Sequence, residues 1–141
     1  MNKIYTCEKF DNEKLRFEKL LNFCNNLKKD NLIICTRSRY LPLLYSKLFN
    51  FNVKFSFYNS KYDYIYNEDD LNNFKQNTNN ILLTDIINNN FITPNLKKIL
   101  FYDIDFNTLK IIQLDFKNKI EFYLFLLNDN NNFLLNNIID K

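Results

Sequence analysis

NLIICTRSRYLPLLYSKL, residues 31–48, changes its hydrophobic period halfway along, and that change decides the fold class. Residues 32–35 are an unbroken apolar run, the pattern of a short strand buried on both faces. Thr36, Arg37, Ser38 and Arg39 interrupt it. Leu41, Leu44, Tyr45 and Leu48 then recur at helical spacing, with Ser38 as the expected cap and Pro42 tolerable in the first turn. A doubly buried strand followed at once by an amphipathic helix is the start of a parallel β-α-β unit.

The flanks repeat the alternation. Ile4 and Tyr5 form a short extended start, and residues 11–28 place Phe17, Leu20, Leu21 and Cys24 on one helical stripe. Downstream, Val53, Phe55 and Phe57 alternate with Lys54 and Ser56, which predicts a strand with one wetter face. Residues 58–67 are polar and aromatic and read as a loop; residues 68–75 carry Leu71 and Phe74 on a short helix. Residues 81–83 form a buried strand ending at Thr84 and Asp85, residues 98–102 another ending at Asp103, and residues 120–127 a last one. Asp129 is placed to cap a final helix bearing Phe133, Leu134 and Ile138, and the Asn clusters at 88–90 and 128–132 read as loops. The expectation is one α/β domain over residues 1–141, three layers deep, with a mainly parallel sheet of about six strands.

Composition removes whole classes of chemistry. None of the 141 residues is glycine, histidine or alanine. Without glycine there is no Walker-type phosphate loop and no dinucleotide fingerprint; without histidine there is no histidine triad and no histidine metal site. The alphabet rich in Asn, Lys, Ile, Phe and Tyr fits codon drift in an AT-rich genome. Its physical consequence is that Asn must serve in turns where glycine usually does. The net charge of +3 permits nucleic-acid contact without demanding it, and only Arg16, Arg37 and Arg39 among 19 basic residues can offer a planar fork. Cys7, Cys24 and Cys35 lack metal-ligand spacing and read as reduced thiols, Cys35 as core. No cofactor is expected. With no apolar leader and no run of about 18 apolar residues, the expected setting is intracellular, cytoplasmic or nuclear, without a membrane partner.

Three segments in order narrow this further. IYTCEKFDNEKLRFEKLLNFC is an extended start and a lysine-bearing helix; NLIICTRSRYLPLLYSKL is strand, Thr-Arg, helix; LNNFKQNTNNILLTDIINNNFITPNLKKILFYDI runs helix, strand to Thr-Asp, Pro-containing loop, strand to Tyr-Asp. Together they resemble the second RecA-like domain of DEAD-box RNA helicases, over nearly the whole chain. The resemblance implies a RecA-like (Rossmann-like) domain whose strand-end loops face RNA phosphates and, across a cleft, ATP held by a partner domain. Residue by residue it puts Thr36 and Arg37 on the family's RNA-contacting Thr-Arg, and Thr84 and Asp85 on the opening of its T-D-x-x-A-R-G-x-D segment.

The chain also departs from that pattern. Asn89 stands for the family's arginine, Asn90 for its glycine and Ile92 for its ribose-holding acid. Residues 113–119 replace the H-R-x-G-R-x-x-R stretch, and no arginine follows Arg39; Lys117 supplies charge without a fork. Arginine fingers are worth about 10³–10⁵ in rate. The implied function is a non-catalytic, helicase-derived module binding RNA, a ribonucleoprotein or a protein; the alternatives are half of a split helicase or a structural subunit. The candidate RNA-binding residues are Thr36, Arg37, Arg39, Thr84 and Asp85. Each has a plain structural reading beside it: Thr84 and Asp85 also suit a turn cap, and the arginines a solvated helix start. Tyr58, Tyr62, Tyr64 and Tyr66 with Lys61 suit base stacking or a half-buried loop, and Asp103 with Asp105 a metal pair or a polar strand end.

Overall fold

A computed structural model describes residues 5–62, 64–104 and 119–128, with the side chains of residues 5 and 64–66 outside that description. The strands are β1 (Tyr5–Phe10), β2 (Asn31–Cys35), β3 (Ser56–Tyr58), β4 (Ile81–Thr84), β5 (Leu96–Tyr102) and β6 (Glu121–Leu127). The helices are α1 (Glu13–Asn25), α2 (Leu41–Asn50) and α3 (Tyr64–Lys75), with a short 3-10 turn at Asn89–Phe91. All five pairings are parallel, in the order β1-β6-β5-β2-β4-β3. This is the single α/β domain with a parallel six-stranded sheet that the period change predicts. The expected last helix and residues 105 and 113–118 lie outside the described residues.

Strand alternation sorts the core into two layers. Leu32, Ile34, Ile81, Leu83, Leu100 and Tyr102 face α1 and α2, meeting Phe17, Leu20, Leu41, Leu44 and Leu48. Ile33, Cys35, Leu82, Ile99 and Phe101 face the other side, where Phe74 of α3 and Phe91 pack. Every residue of β2 and β4 is buried, which is why those segments show no alternation in sequence. The stripe predicted for α1 is the one it buries, and Asn12 caps it by accepting the Leu15 N–H at 2.9 Å. Burial pushes the Cys24 thiol up to about 12 and raises Cys7, so neither is a ready nucleophile.

Several expectations need correction. The strand expected from Val53 to Phe57 is shorter: Ser56 and Phe57 pair with β4 in a three-residue edge strand, whereas Val53 and Phe55 lie before the ladder and pack against the α1–α2 layer. The loop expected over 58–67 ends sooner, because α3 begins at Tyr64. β1 continues to Phe10, since β6 pairs with it throughout. Ser38 does not cap α2; Tyr40 holds that position without a side-chain bond. Asn serves as a glycine substitute at Asn52 (φ 59°) and Asn77 (φ 65°), while Lys28 (φ 55°) and Asp103 (φ 51°) occupy the left-handed region too.

Candidate functional site

In an open α/β sheet a ligand crevice forms where neighbouring strands send their following segments to opposite faces. Here that place lies between β2 and β4. The segment after β2 leads into α2 on one layer, and the segment after β4 leads to Phe91 on the other. Thr36, Arg37 and Arg39 stand on the first of these loops, Thr84 and Asp85 on the second. The Thr36 N–H donates to the Thr84 carbonyl at 3.0 Å, so the loops start hydrogen-bonded to each other. The structure therefore brings the five sequence candidates to one rim.

Their chemistry at that rim is uneven. Thr36 is buried and its hydroxyl finds no partner among the described residues. Thr84 Oγ1 accepts the Ile86 N–H at 3.2 Å, an ST-turn. Asp85 is almost fully buried and spans the crevice: Ser38 Oγ donates to it at 2.8 Å, the Ser60 N–H at 2.9 Å, and the Ser60 hydroxyl also donates. Its carboxylate ties the loops after β2, β3 and β4 together. Arg39 is exposed. Arg37, 43% exposed, puts Nε and a terminal nitrogen on Asp103 Oδ2 at 3.0 and 2.9 Å.

Asp103 belongs to a larger network that sequence reasoning missed. Its left-handed backbone, tolerable for Asp, ends β5 and leaves the other carboxylate oxygen 3.4 Å from Arg16. The Arg16 side chain is only 1% exposed; its guanidinium lies 4.4 Å from the Tyr102 ring centre and bonds Glu13. Glu13 also accepts from Tyr40 at 2.9 Å, Lys47 at 3.0 Å and Tyr102. Burial alone would raise Glu13, but bonds from Tyr102 and Lys47 and the Arg16 charge outweigh it, and its carboxyl sits below the ordinary value. Burial raises Tyr40 and Tyr102, and the bond each donates to Glu13 raises them further. Burial works against the Arg16 charge, yet Tyr102, Glu13 and Asp103 keep it above its ordinary value. The sequence signal was slight: Glu13 and Arg16 at i, i+3 and the scarcity of arginine.

The loop from β4 to β5 is built differently. Asn88 Oδ1 accepts the Asn90 N–H at 2.9 Å and starts the 3-10 turn. The turn buries Phe91 against Tyr58, ring centres 4.9 Å apart. Ile92, standing where the family pattern has an acid, packs on the α3-side core with Ile86 and Ile87. The isoleucines and Phe91 of this loop turn toward the core, while Asn89 and Asn90 are exposed. Of the tyrosines considered for stacking, Tyr58 is spent on Phe91, Tyr62 is exposed, and the Tyr64 and Tyr66 side chains lie outside the description. Asp103 is committed to two arginines and does not pair with a second carboxylate among the described residues.

Comparison with solved structures agrees with this fold. The chain is similar to the C-terminal domain of an S. cerevisiae Dbp5 variant bound to Gle1 and IP6, at 17% identity and TM-score 0.72, over 99% of this chain and 84% of that one. It is similar to the C-terminal domain of the DEAD-box protein Dbp5 at 18% identity and TM-score 0.72, with the same coverage. Domain 2 of the DEAD-box helicase Mss116p bound to an RNA duplex gives 18% identity and TM-score 0.62, over 90% of this chain and 54% of that one. The chain spans 38% of a longer Dbp5 chain to which it is also similar. The sequence itself matches no family model and no curated protein. The fold is that of a helicase C-terminal RecA-like domain. No helix among the described residues is long and apolar enough to cross a membrane.

Proposed function

We propose that this chain is a non-catalytic RecA-like domain of helicase origin that binds RNA or a ribonucleoprotein at the rim of β2 and β4. One observation carries the reading: the scaffold keeps its crevice while the groups that would handle phosphate there are replaced or engaged internally. Ile92 is packed into apolar core, Asn89 cannot supply a cation, and Asp85 is consumed in joining Ser38 and Ser60. What is left facing outward is cationic and modest. Arg39 is exposed, and the Arg37–Asp103 pair is open enough to water that a phosphate can displace the carboxylate at small cost.

Two measurements test this. The purified chain should show no ATP turnover above background, with or without RNA; turnover lost on changing Thr84 or Asp85 would overturn the reading. Turnover arising only with a separate Walker-loop polypeptide would mark half of a split helicase instead. A single-stranded oligoribonucleotide should bind at micromolar affinity or weaker, with a log–log salt slope of about −1.4 for two phosphate contacts. Arg37→Ala with Arg39→Ala should weaken it severalfold, and unchanged binding would move the RNA surface elsewhere.

A further inference from the structure

Away from the crevice, Leu43, Tyr45, Phe49, Phe51 and Tyr62 stand exposed on or near the outer face of α2 and the β3 edge, Phe49 at 66%. Ring contacts link several of them into a strip. Phe49 stacks on Tyr45 at 6.5 Å, Tyr45 meets Phe57 edge-on at 4.9 Å, and Phe57 meets Tyr62 at 6.1 Å. The strip ends in a hollow of about 350 Å³ lined by Phe57, Tyr62, Asn67 and Asp70. Two walls of it are aromatic and one carries a carboxylate.

The hollow is held open before anything enters it. Buried Asn67 accepts the Asn59 N–H at 3.1 Å and donates to the Asn59 and Tyr62 carbonyls at 2.9 and 3.3 Å, which fixes the loop bearing Tyr62. Asp70 Oδ2 accepts the Phe57 N–H at 3.0 Å, so that donor of the edge strand is unavailable to an added strand. Asp70 Oδ1 accepts no hydrogen bond, and no lysine or arginine pairs with Asp70, among the described residues. The sequence around it is acidic: residues 59–72 hold Asp63, Glu68, Asp69 and Asp70 against Lys61.

We propose that this hollow takes an arginine side chain from a partner protein, whose neighbouring apolar residues lie along the Tyr45–Phe49 strip. A guanidinium is planar, stacks on aromatic rings and bonds carboxylates through its fork, which matches both kinds of wall. The same acids repel a phosphate backbone, so the strip is not a stacking platform for RNA. The proposal needs only a protein-binding role for the domain; loss of the RNA reading above leaves it standing.

The test is a titration of the ¹⁵N-labelled full chain with N-acetylarginine methylamide, its uncharged citrulline counterpart and a short oligouridylate. The arginine amide should shift Phe57, Asn59, Tyr62 and Asn67 with millimolar affinity. Citrulline should bind about tenfold more weakly, the scale of one cation–π and one carboxylate contact. Asp70→Asn, which keeps an oxygen for Phe57 N–H, should reduce the arginine amide to the citrulline level, whereas Asp69→Asn should change it less than twofold. Equal binding of citrulline to the unaltered chain, indifference to Asp70→Asn, or oligouridylate shifting these same amides would each overturn the proposal.

Discussion

The two layers that sandwich the sheet are closed by different means at its carboxyl edge. On the α1–α2 side, Arg16, Glu13, Asp103, Tyr40, Tyr102 and Lys47 satisfy one another in a half-buried charge network centred on buried Arg16 and Tyr102. On the α3 side, Phe91, Tyr58, Ile86, Ile87 and Ile92 close the edge with apolar surface. A charge network depends on every partner being present, because a lone buried charge is expensive. An apolar plug depends on volume alone. The two layers should therefore respond differently to conservative and to drastic substitutions.

The largest effects should come from breaking each layer at its centre. Arg16→Ala takes from Glu13 and Asp103 the buried cation they share, leaves each with one other cation (Lys47 and Arg37), and should cost about 3 kcal/mol in urea unfolding. Arg16→Met fills the space but not the charge, and should cost nearly as much. Phe91→Ala should also cost about 3–5 kcal/mol through the cavity it opens. Phe91→Leu, by contrast, should cost less than about 1.5 kcal/mol. If Arg16→Met proved as mild as Phe91→Leu, the network would be packing and its charge incidental.

The next effect is on pH dependence, and only the α1–α2 layer should show it strongly. Glu13 has a folded value below its unfolded one, so it binds protons less readily when folded. Its contribution is present above the unfolded value of about 4.3 and is lost as pH falls through the lower folded value. Tyr102 is shifted upward, so its contribution is full below about 10 and is lost as pH rises beyond that. Stability measured from pH 3 to 11 should fall at both ends. Glu13→Gln should flatten the acid limb and Tyr102→Phe the alkaline one. A Tyr102→Phe profile parallel to the parent at high pH would remove Tyr102 from the network.

The same contrast explains what could be read from the chain. The layers were legible because hydrophobic period is local: the run at 32–35 and the stripe at 41, 44, 45 and 48 need no distant information. Thr36 and Thr84 could be placed on one rim because parallel strands put all their carboxyl ends on one edge. The network was not legible, since burial of Arg16 depends on Tyr40 and Tyr102, which are 24 and 86 residues further along. Ser38 shows the limit most plainly. Local rules made it a helix cap, but the Arg37 carbonyl competes for the Tyr40 and Leu41 N–H groups, and the Ser38 hydroxyl instead donates to Asp85, 47 residues on.

The Ser38–Asp85 bond yields the smallest prediction. Ser38→Ala removes one of three donors to Asp85, while Ser60 still supplies a backbone and a hydroxyl donor. Because Asp85 stays satisfied, the loss should be close to one ordinary hydrogen bond, about 1 kcal/mol, not the larger penalty of an orphaned carboxylate. Ser60→Ala leaves the Ser60 N–H in place and should cost a similar amount. The double variant leaves Asp85 with that single backbone donor. It should cost more than the sum of the singles, because a nearly buried carboxylate is then short of donors. Strict additivity in a double-mutant cycle would mean that water supplies Asp85 in place of the lost hydroxyls. The crevice between β2 and β4 would then be open to solvent and not tied shut by its own side chains.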